Sequence, residues 1–483
     1  MPTTFQNYVD GEWVDSETGE TFETANPAAP DEVVGRFQQS SAADADRAVE
    51  AAATAADEWA DTPGPKRGRI LERTARALRD RREELTETLV REEGKAEPEA
   101  AGEVQRAIDI FGYYAGKARD IGGTVSGSSS PDRRLYTVEE PIGVAALITP
   151  WNYPIAIPAW KIAPALAAGA TAVFKPATLA PAVSAAIVEE LDEAGLPDGA
   201  LNYVTGPGSE VGDALATHSD VDAVSFTGST MVGESLREAA APDGKRIQLE
   251  MGGKNPVVVS EHADLETAVD VVAGGAFGVT GQACTATSRA IVHESRYDEF
   301  VDRLVERAES IEIGPGLDGY RMGPQVSESE RDGTLDYVDA GTREGATLET
   351  GGGVPEGDRF ADGHFVEPTV FSDVDSEMRI AQEEIFGPVV AAIPTSGFDE
   401  ALEIANDVRY GLSAGIVTDD LTEANRFVDE IEAGVVKVNE RTTGVELHVP
   451  FGGLKASSSE TFREQGEAGL DFFTISKTAY VNY

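Results

Sequence analysis

The sequence predicts an α/β protein in which a parallel-sheet unit is followed by a second α/β series. Three observations lead there. Between residues 143 and 260, apolar runs of strand length alternate with helical stretches; a second series of the same kind runs from Ala290 to Asn439; and 483 residues with 41% hydrophobic side chains can bury two or three cores.

Taken in order, residues 1 to 40 read as short strands, Gln6 to Val9 and Glu12 to Val14, with turns at Asp10-Gly11 and Thr18-Gly19. From Ala42 to about Arg119 the apolar positions recur at helical spacing, first Ala45, Ala48, Val49 and Ala52, then Ile70, Leu71, Ala75 and Leu78. The charged stretch from Arg79 to Glu84 reads as a solvated helix face. A Gly/Ser segment, Ile121 to Ser130, leads into a strand at Leu135 to Glu139. The first alternating series has strands at Val144 to Thr149, Ala172 to Lys175, Leu201 to Thr205, Ala223 to Thr227 and Ile247 to Leu249. Between them lie helices around Trp160 to Ala168, Ala182 to Glu193, Glu210 to Thr217 and Met231 to Ala239. Such βαβ repetition calls for a parallel sheet covered on both faces, with ligands at the carboxyl ends of its strands. The second series has strands at Ala290 to His293, Ala414 to Thr418 and Val435 to Asn439, and helices near Tyr297 to Ile311 and Glu423 to Ile431.

Composition removes several function classes. Acidic residues outnumber basic ones 86 to 39, a formal net charge of −47 that repels nucleic acid. The excess is spread from Asp10 to Asp471, as suits a protein adapted to high salt, where the Debye length falls to about 3 Å at 1 M. No apolar run approaches the roughly 18 residues of a membrane span, and Met1 to Phe5 lack the basic and apolar regions of a signal peptide. A soluble cytoplasmic protein with no membrane partner is expected. A single cysteine, Cys284, excludes an internal disulfide framework and a cysteine-based zinc cluster, and no metal site is expected.

That thiol is a candidate by elimination. It lies in Gly281-Gln282-Ala283-Cys284-Thr285, after the apolar stretch Ala268 to Val279, and the glycine suits a tight turn that exposes the side chain. An inert, buried cysteine is the alternative. Glu250 ends an apolar strand just before Gly252-Gly253, an unusual seat for a surface carboxylate. Gly206-Pro207-Gly208 with Gly212 follows a strand, but its third glycine comes one position late for G-x-G-x-x-G, and a plain strand-to-helix turn explains it equally well. Phe226-Thr227-Gly228-Ser229 ends another strand, where Ser229 can cap the next helix and leave N–H groups free for an anion.

Seven motifs occur in a fixed order: Thr149-Pro150-Trp151-Asn152-Tyr153-Pro154, Phe174-Lys175-Pro176-Ala177, Phe226-Thr227-Gly228-Ser229, Leu249-Glu250-Met251-Gly252-Gly253-Lys254-Asn255-Pro256, Gly281-Gln282-Ala283-Cys284, Glu383-Glu384-Ile385-Phe386-Gly387-Pro388 and Pro450-Phe451-Gly452-Gly453. Together they resemble the aldehyde dehydrogenase superfamily over essentially the whole chain.

The resemblance implies a role for each matching residue. Cys284 matches the nucleophile, Asn152 the amide that holds the oxyanion together with the Cys284 N–H, and Glu250 the base that activates water for thioester hydrolysis. Lys175 matches the lysine on the adenosine ribose, Ser229 with Gly228 the pyrophosphate site, Glu384 the carboxylate on the nicotinamide ribose, and Phe386 the ring beside it. Trp151, Gly206 and Pro207 are implied to line the same cofactor site, and Lys161 and Glu464 match a lysine and a glutamate that relay protons. Thr178 stands three positions after Lys175, where NAD-selective relatives often carry a glutamate, so NADP is expected to be preferred over NAD. After Lys455 the chain has Ala456-Ser457-Ser458-Ser459 where many relatives have a Ser-Gly pair. With Phe462-Arg463-Glu464-Gln465-Gly466 and Leu447-His448-Val449, this resembles the branch that oxidises α-ketoglutarate semialdehyde (2,5-dioxopentanoate) in pentose or aldaric acid degradation. Tyr153 and Arg441 are candidate substrate contacts, Arg441 because its planar fork can hold a carboxylate; a surface ion pair with Glu440 or Glu446 is the other reading of Arg441.

The implied architecture is the aldehyde dehydrogenase fold: a Rossmann-like dinucleotide-binding domain (1–121 and 143–252), an α/β catalytic domain (253–455) and a small β oligomerisation arm (122–142 and 456–483). Alternation at Phe473, Ile475 and Lys477 to Val481 suits pairing with a partner's sheet edge, and the resemblance implies a homodimer or homotetramer. The implied activity is NAD(P)-dependent oxidation of a small-molecule aldehyde. Another semialdehyde or glyceraldehyde-type dehydrogenase is the alternative within the class; a non-catalytic structural or binding member is the alternative outside it, disfavoured because a scaffold has no need of Cys284, Asn152 and Glu250 together.

The charge makes one expectation independent of any family. At about 0.01 M salt the Debye length grows to about 30 Å and the excess carboxylates of a −47 chain repel one another across the whole surface. Dialysis from molar KCl into such a buffer should abolish activity and native circular dichroism; full activity after prolonged dialysis would contradict the high-salt reading.

Overall fold

The computed structural model describes residues 2–483. Its first large sheet has seven strands in the order Arg246–Glu250, Ala223–Thr227, Val144–Ile148, Thr171–Lys175, Leu201–Tyr203, Asn7–Val9, Glu12–Val14. The first five are mutually parallel, as the βαβ alternation requires, and the N-terminal hairpin adds two antiparallel strands at the edge. Every residue of Val144–Ile148, Thr171–Lys175 and Ala223–Thr227 is buried, which is the state of a central strand covered by helices on both faces. From Val144–Ile148 the chain winds outward in one direction, then returns to lay Ala223–Thr227 on the other side. The crevice at this reversal lies just beyond Ile148 and Thr227.

The second large sheet runs Thr347–Thr350, Thr369–Ser372, Val389–Thr395, Thr287–His293, Asn255–Val259, Ser413–Val417, Val435–Val438, parallel except for the first strand. Four residues, Met251 to Lys254, connect the last strand of the first sheet to Asn255–Val259. The carboxyl ends of the first sheet therefore meet the amino ends of the second. Cys284, Glu384 and Phe386 all come just before strands of the second sheet, at Thr287 and Val389.

The helical stretch from residue 42 resolves into Ala42–Asp61, Gly64–Asp80, Arg82–Glu93 and Glu97–Lys117. Gly94, at φ +96°, ends the third of these in the left-handed conformation, and any side chain there would run into Pro27 and Pro324. The helix Glu328–Glu344 carries no helical signature in its hydrophobic pattern because the residues it buries are Thr334, Val338, Ala340 and Gly341, mostly small or polar. Its sequence does hold a start signal, Ser327 followed three residues later by Glu330, and the Ser327 hydroxyl accepts the Glu330 N–H.

A separate three-stranded antiparallel sheet pairs Thr474–Asn482 with Arg133–Pro141 over nine residues and adds Val125–Ser126. Thr474–Asn482 lies at its edge. The arm pairing begins only at Thr474; residues 457–459 instead run along the edge of the first large sheet, with Met251 N–H donating to Ser457 O and Ser459 N–H to Leu249 O. Among the described residues no helix is long and apolar enough to cross a membrane.

Candidate active site

The reversal in the first sheet and the amino ends of the second enclose a cleft of about 420 Å³. Trp151 and Asn152 reach it from the loop after Val144–Ile148, Thr227, Gly228 and Ser229 from the end of the neighbouring strand, Met251 and Gly252 from the connection, and Cys284, Glu384 and Phe386 from the second sheet. Residues separated by more than 230 positions thus share one wall.

The loop that leads to Cys284 is held in an uncommon backbone conformation. Val279, Thr280 and Gly281 have φ of 49°, 56° and 70°, three successive left-handed residues, of which the β-branched two are strained. Glu99 accepts the Val279 N–H at 2.7 Å, Thr280 donates its hydroxyl to Gly323 O, and Gln282 accepts the Val326 N–H at 2.9 Å. Gly281 also passes so close to Gly387 O that an added Cβ would sit 2.1 Å from it. Cys284 emerges partly exposed at the cleft. Burial first, then the nearby carboxylates of Glu384, Glu250 and Glu464, push its thiol well above the ordinary cysteine range, so the thiol is protonated at rest.

Asn152 donates from Nδ2 to Gln282 O at 2.9 Å, which ties it to the Cys284 loop and, among the described residues, leaves its second N–H free. The turn carrying it rests on a buried ionic cluster. Lys95, wholly buried, donates to Asn152 O at 2.8 Å and to Glu103 Oε2 at 2.6 Å, while Glu103 Oε1 accepts the N–H groups of Ile155 and Ala156. Glu93 lies 3.7 Å from the same ammonium, and its carboxyl is pushed up to about 8, mostly by burial. The Lys95 ammonium sits 4.5 Å from the centre of the Tyr153 ring. Tyr153 is half-buried and does not line the cleft; loss of solvent around its hydroxyl, then Glu103 and Cys284, raise it well above the tyrosine range.

Glu384 lines the cleft and accepts the Gly253 N–H at 3.0 Å; burial lifts its carboxyl to about 7 against the pull of that N–H and of Lys254. Trp151 and Phe386 meet edge to face at 5.3 Å. Ser229 caps the helix Thr230–Ala240 by accepting the Val232 N–H, so the remaining first-turn N–H groups are available to an anion. Lys175 is buried at the carboxyl end of its strand, donates to Pro176 O at 2.9 Å and is lowered to about 8 by burial. Thr178 lies half-buried in the turn that follows, and Gly206, at φ +141°, packs against the Ser40 backbone with Pro207 beside it. This set fits a nicotinamide dinucleotide: a helix N-terminus for phosphates, a buried cation beyond it and a carboxylate at the thiol end.

Glu250 is buried but does not line the cleft. It accepts Gly453 N–H at 3.1 Å and the Ser458 hydroxyl at 3.0 Å, turned toward the segment 451–464. Behind it Lys161 donates to Ser225 at 2.7 Å and pairs with Glu464. Arg441 does not join this group: it is exposed, lies in a separate groove lined by residues 267–271 and 437–446, and packs over Gly274, where the lack of a Cβ makes room for its guanidinium. Neither Glu440 nor Glu446 pairs with it among the described residues, since Glu440 pairs with Lys437 and Glu446 approaches His448. Sequence reasoning missed the face contributed by Ser329, Glu330, Gly333 and Tyr337 of the Glu328–Glu344 helix; the serine-to-glutamate start signal was its available trace.

The sequence profile described as "Aldehyde dehydrogenase family" matches residues 13–479. Over 478 residues the chain is 66% identical to an alpha-ketoglutarate semialdehyde dehydrogenase of Haloferax volcanii, with 99% of both chains covered. It is 48% identical to an alpha-ketoglutaric semialdehyde dehydrogenase of Bacillus subtilis, covering 99% of this chain and 98% of that one. The solved structure of a betaine aldehyde dehydrogenase from Staphylococcus aureus in complex with NAD+ superposes with a TM-score of 0.96 at 38% identity, covering 99% of this chain and 94% of that one.

Replacing Lys95 by methionine would leave Glu93 and Glu103 buried without their counter-charge. Breaking such a buried pair costs about 3–5 kcal/mol, so Lys95→Met should lower the denaturation midpoint sharply in molar KCl; a midpoint equal to wild type would show that the Lys95–Glu103 ion pair does not stabilise the fold.

Proposed function

Because the chain belongs to the aldehyde dehydrogenase family, we propose that it oxidises α-ketoglutarate semialdehyde (2,5-dioxopentanoate) to 2-oxoglutarate with a nicotinamide dinucleotide, in pentose or aldaric acid breakdown. The observation that carries this reading is kinship along the whole chain with relatives of that name, one of them from a halophile. The −47 charge and the Ala456 to Ser459 stretch agree with it.

In this reading Cys284 Sγ, once deprotonated, bonds to the aldehyde carbon and the carbonyl electron pair moves to oxygen. The free N–H of Asn152 and the Cys284 N–H stabilise that oxyanion. The bound dinucleotide supplies the hydride acceptor. Loss of hydride from the carbon leaves an acyl thioester on Cys284. Glu250 then takes a proton from water, the water oxygen bonds to the acyl carbon, and the thiolate departs with the bond that held it. Lys161 and Glu464 carry the proton onward from Glu250. Lys175, Ser229 with Gly228, Glu384, Trp151 and Phe386 hold the dinucleotide, with Gly206 and Pro207 toward its adenine end. A homodimer or homotetramer is part of the reading, because Thr474–Asn482 is the edge of its sheet and has one row of backbone groups without a strand beside it.

NADP is the preferred dinucleotide in this reading. Thr178 presents a neutral hydroxyl where a carboxylate would repel a 2′-phosphate, and Lys175 supplies a buried cation nearby.

Two experiments follow. In single turnovers at molar KCl, Cys284→Ala should release no NAD(P)H while still binding dinucleotide, whereas Glu250→Gln should give one burst of NAD(P)H and a stalled acyl-enzyme visible by mass; near-wild-type turnover in either would overturn the assignment. Thr178→Glu should shift the ratio of kcat/KM toward NAD by about tenfold, or roughly 1.4 kcal/mol; an unchanged ratio would reject the NADP reading.

A further inference from the structure

Glu250 sits in a seat of its own. The residue ends the edge strand of the first sheet, and Ser458 lies directly opposite it in an antiparallel bridge. Both side chains are buried, at 2% and 6% exposure. The Ser458 hydroxyl donates to Glu250 Oε1 at 3.0 Å and accepts the Glu460 N–H at 3.2 Å. With its acceptor side engaged by that N–H, the hydroxyl proton is directed at the carboxylate. Gly453 N–H takes the other oxygen at 3.1 Å. A side chain at Gly452 would place its Cβ 2.6 Å from Glu250 Oε1, so the seat consists of close backbone and one hydroxyl. The neighbouring Met251 and Gly252 line the cleft while Glu250 does not: the carboxylate is drawn back from the thiol.

We propose that Ser458 is a positioning residue, whose hydroxyl anchors Glu250 in this withdrawn pose and favours the ionised form that a base needs. The inference rests on the reading of Glu250 as the base that hydrolyses the thioester. It concerns a residue at the place where the chain departs from the Ser-Gly pattern, and glycine there could make no such bond.

The electrostatics of the seat give the hydroxyl its leverage. Burial raises the Glu250 carboxyl well above the ordinary range, and Glu464 raises it further. The Gly453 N–H, the Ser458 hydroxyl and the Arg463 guanidinium oppose that rise. Cys284 lies on the thiol side, and Lys161 is already committed to Glu464. Among the described residues two hydrogen bonds hold the carboxylate directly, and Ser458 makes one of them. Removing it must push the carboxyl up, because a hydrogen bond to the ionised form favours that form. The charged fraction of the base at any pH below the new midpoint then falls.

The test uses the full-length enzyme in molar KCl with saturating dinucleotide. Hydrolysis of the acyl-enzyme is followed across pH by quenched single turnovers read by mass, and the NADPH burst is recorded in parallel. Ser458→Ala should move the midpoint of the hydrolysis profile up by about half to one unit and slow hydrolysis about three- to tenfold below it, while the burst amplitude persists. Ser458→Thr, which keeps the hydroxyl, should restore the midpoint. An unmoved midpoint in Ser458→Ala, or a burst lost in proportion to hydrolysis, would overturn the inference. Glu250→Gln separates the two levels of the argument: turnover persisting in that variant overturns the base assignment and this inference with it, whereas a stalled Glu250→Gln beside an unmoved Ser458→Ala midpoint overturns the role of Ser458 alone.

Discussion

A side chain at Gly252 would put its first carbon 2.0 Å from a Glu384 carboxylate oxygen, and one at Gly253 would lie 2.6 Å from the Cys284 carbonyl. These two residues form the connection through which the first sheet hands the chain to the second. Because neither carries a Cβ, the second sheet can bring its Cys284 loop and the Glu384 carboxylate against the end of the first. Gly253 N–H then holds Glu384, and Asn255, two residues on, donates to Cys284 O and Ala286 O. The cleft, the thiol and the carboxylates around it all take their spacing from this close passage of backbone.

The same crowding creates an electrostatic problem that the chain solves locally. Glu250, Glu384 and Glu464 all act on one thiol inside a molecule whose formal charge is already −47. Each carboxyl has its own partner: Gly453 N–H and Ser458 for Glu250, Gly253 N–H for Glu384, Lys161 for Glu464. None of these partners is a mobile surface cation, so the arrangement does not depend on ions that screen the exterior. The result is a thiol whose proton is held more tightly than in an ordinary cysteine. The partners of these carboxyls are thereby kept apart from the ion pairs of the exposed surface.

A second separation runs between strain and support. The left-handed run Val279 to Gly281 is unfavourable for its two β-branched members, and it is held from outside by Glu99, Gly323, Gln325 and Gly387. Asn152 is fixed in the same manner, by Lys95 and Glu103 beneath the turn rather than by the turn itself. The helix Glu97–Lys117 contributes Glu99 to one and Glu103 to the other, so a single helix face supports both the Cys284 loop and the Asn152 turn.

The sequence by itself determined the α/β class, the parallel sheet of the first βαβ series, the acidic charge excess and, through seven ordered motifs, the family, whereas in the second series it marked three of the seven strands. These properties are local or cumulative: apolar runs of strand length, caps such as Ser229, a lone cysteine and a sum of charges can all be read along the chain. Only the tertiary structure decided that the amino ends of the second sheet face the carboxyl ends of the first, since that depends on how closely Gly252 and Gly253 let two sheets approach. It also decided that the Glu328–Glu344 helix walls the cleft, because the face it buries is made of Thr334, Val338, Ala340 and Gly341 and leaves little apolar period to read. Arg441 shows the same limit from the other side. Its place in the chain, just before Pro450 to Gly453, suggested the substrate, yet the space left by Gly274 draws its guanidinium into a different groove. Ser458 and Glu250 are 208 residues apart and meet through one bridge between an edge strand and a returning segment. Such a contact is set by packing between distant segments, and spacing along the chain does not encode it.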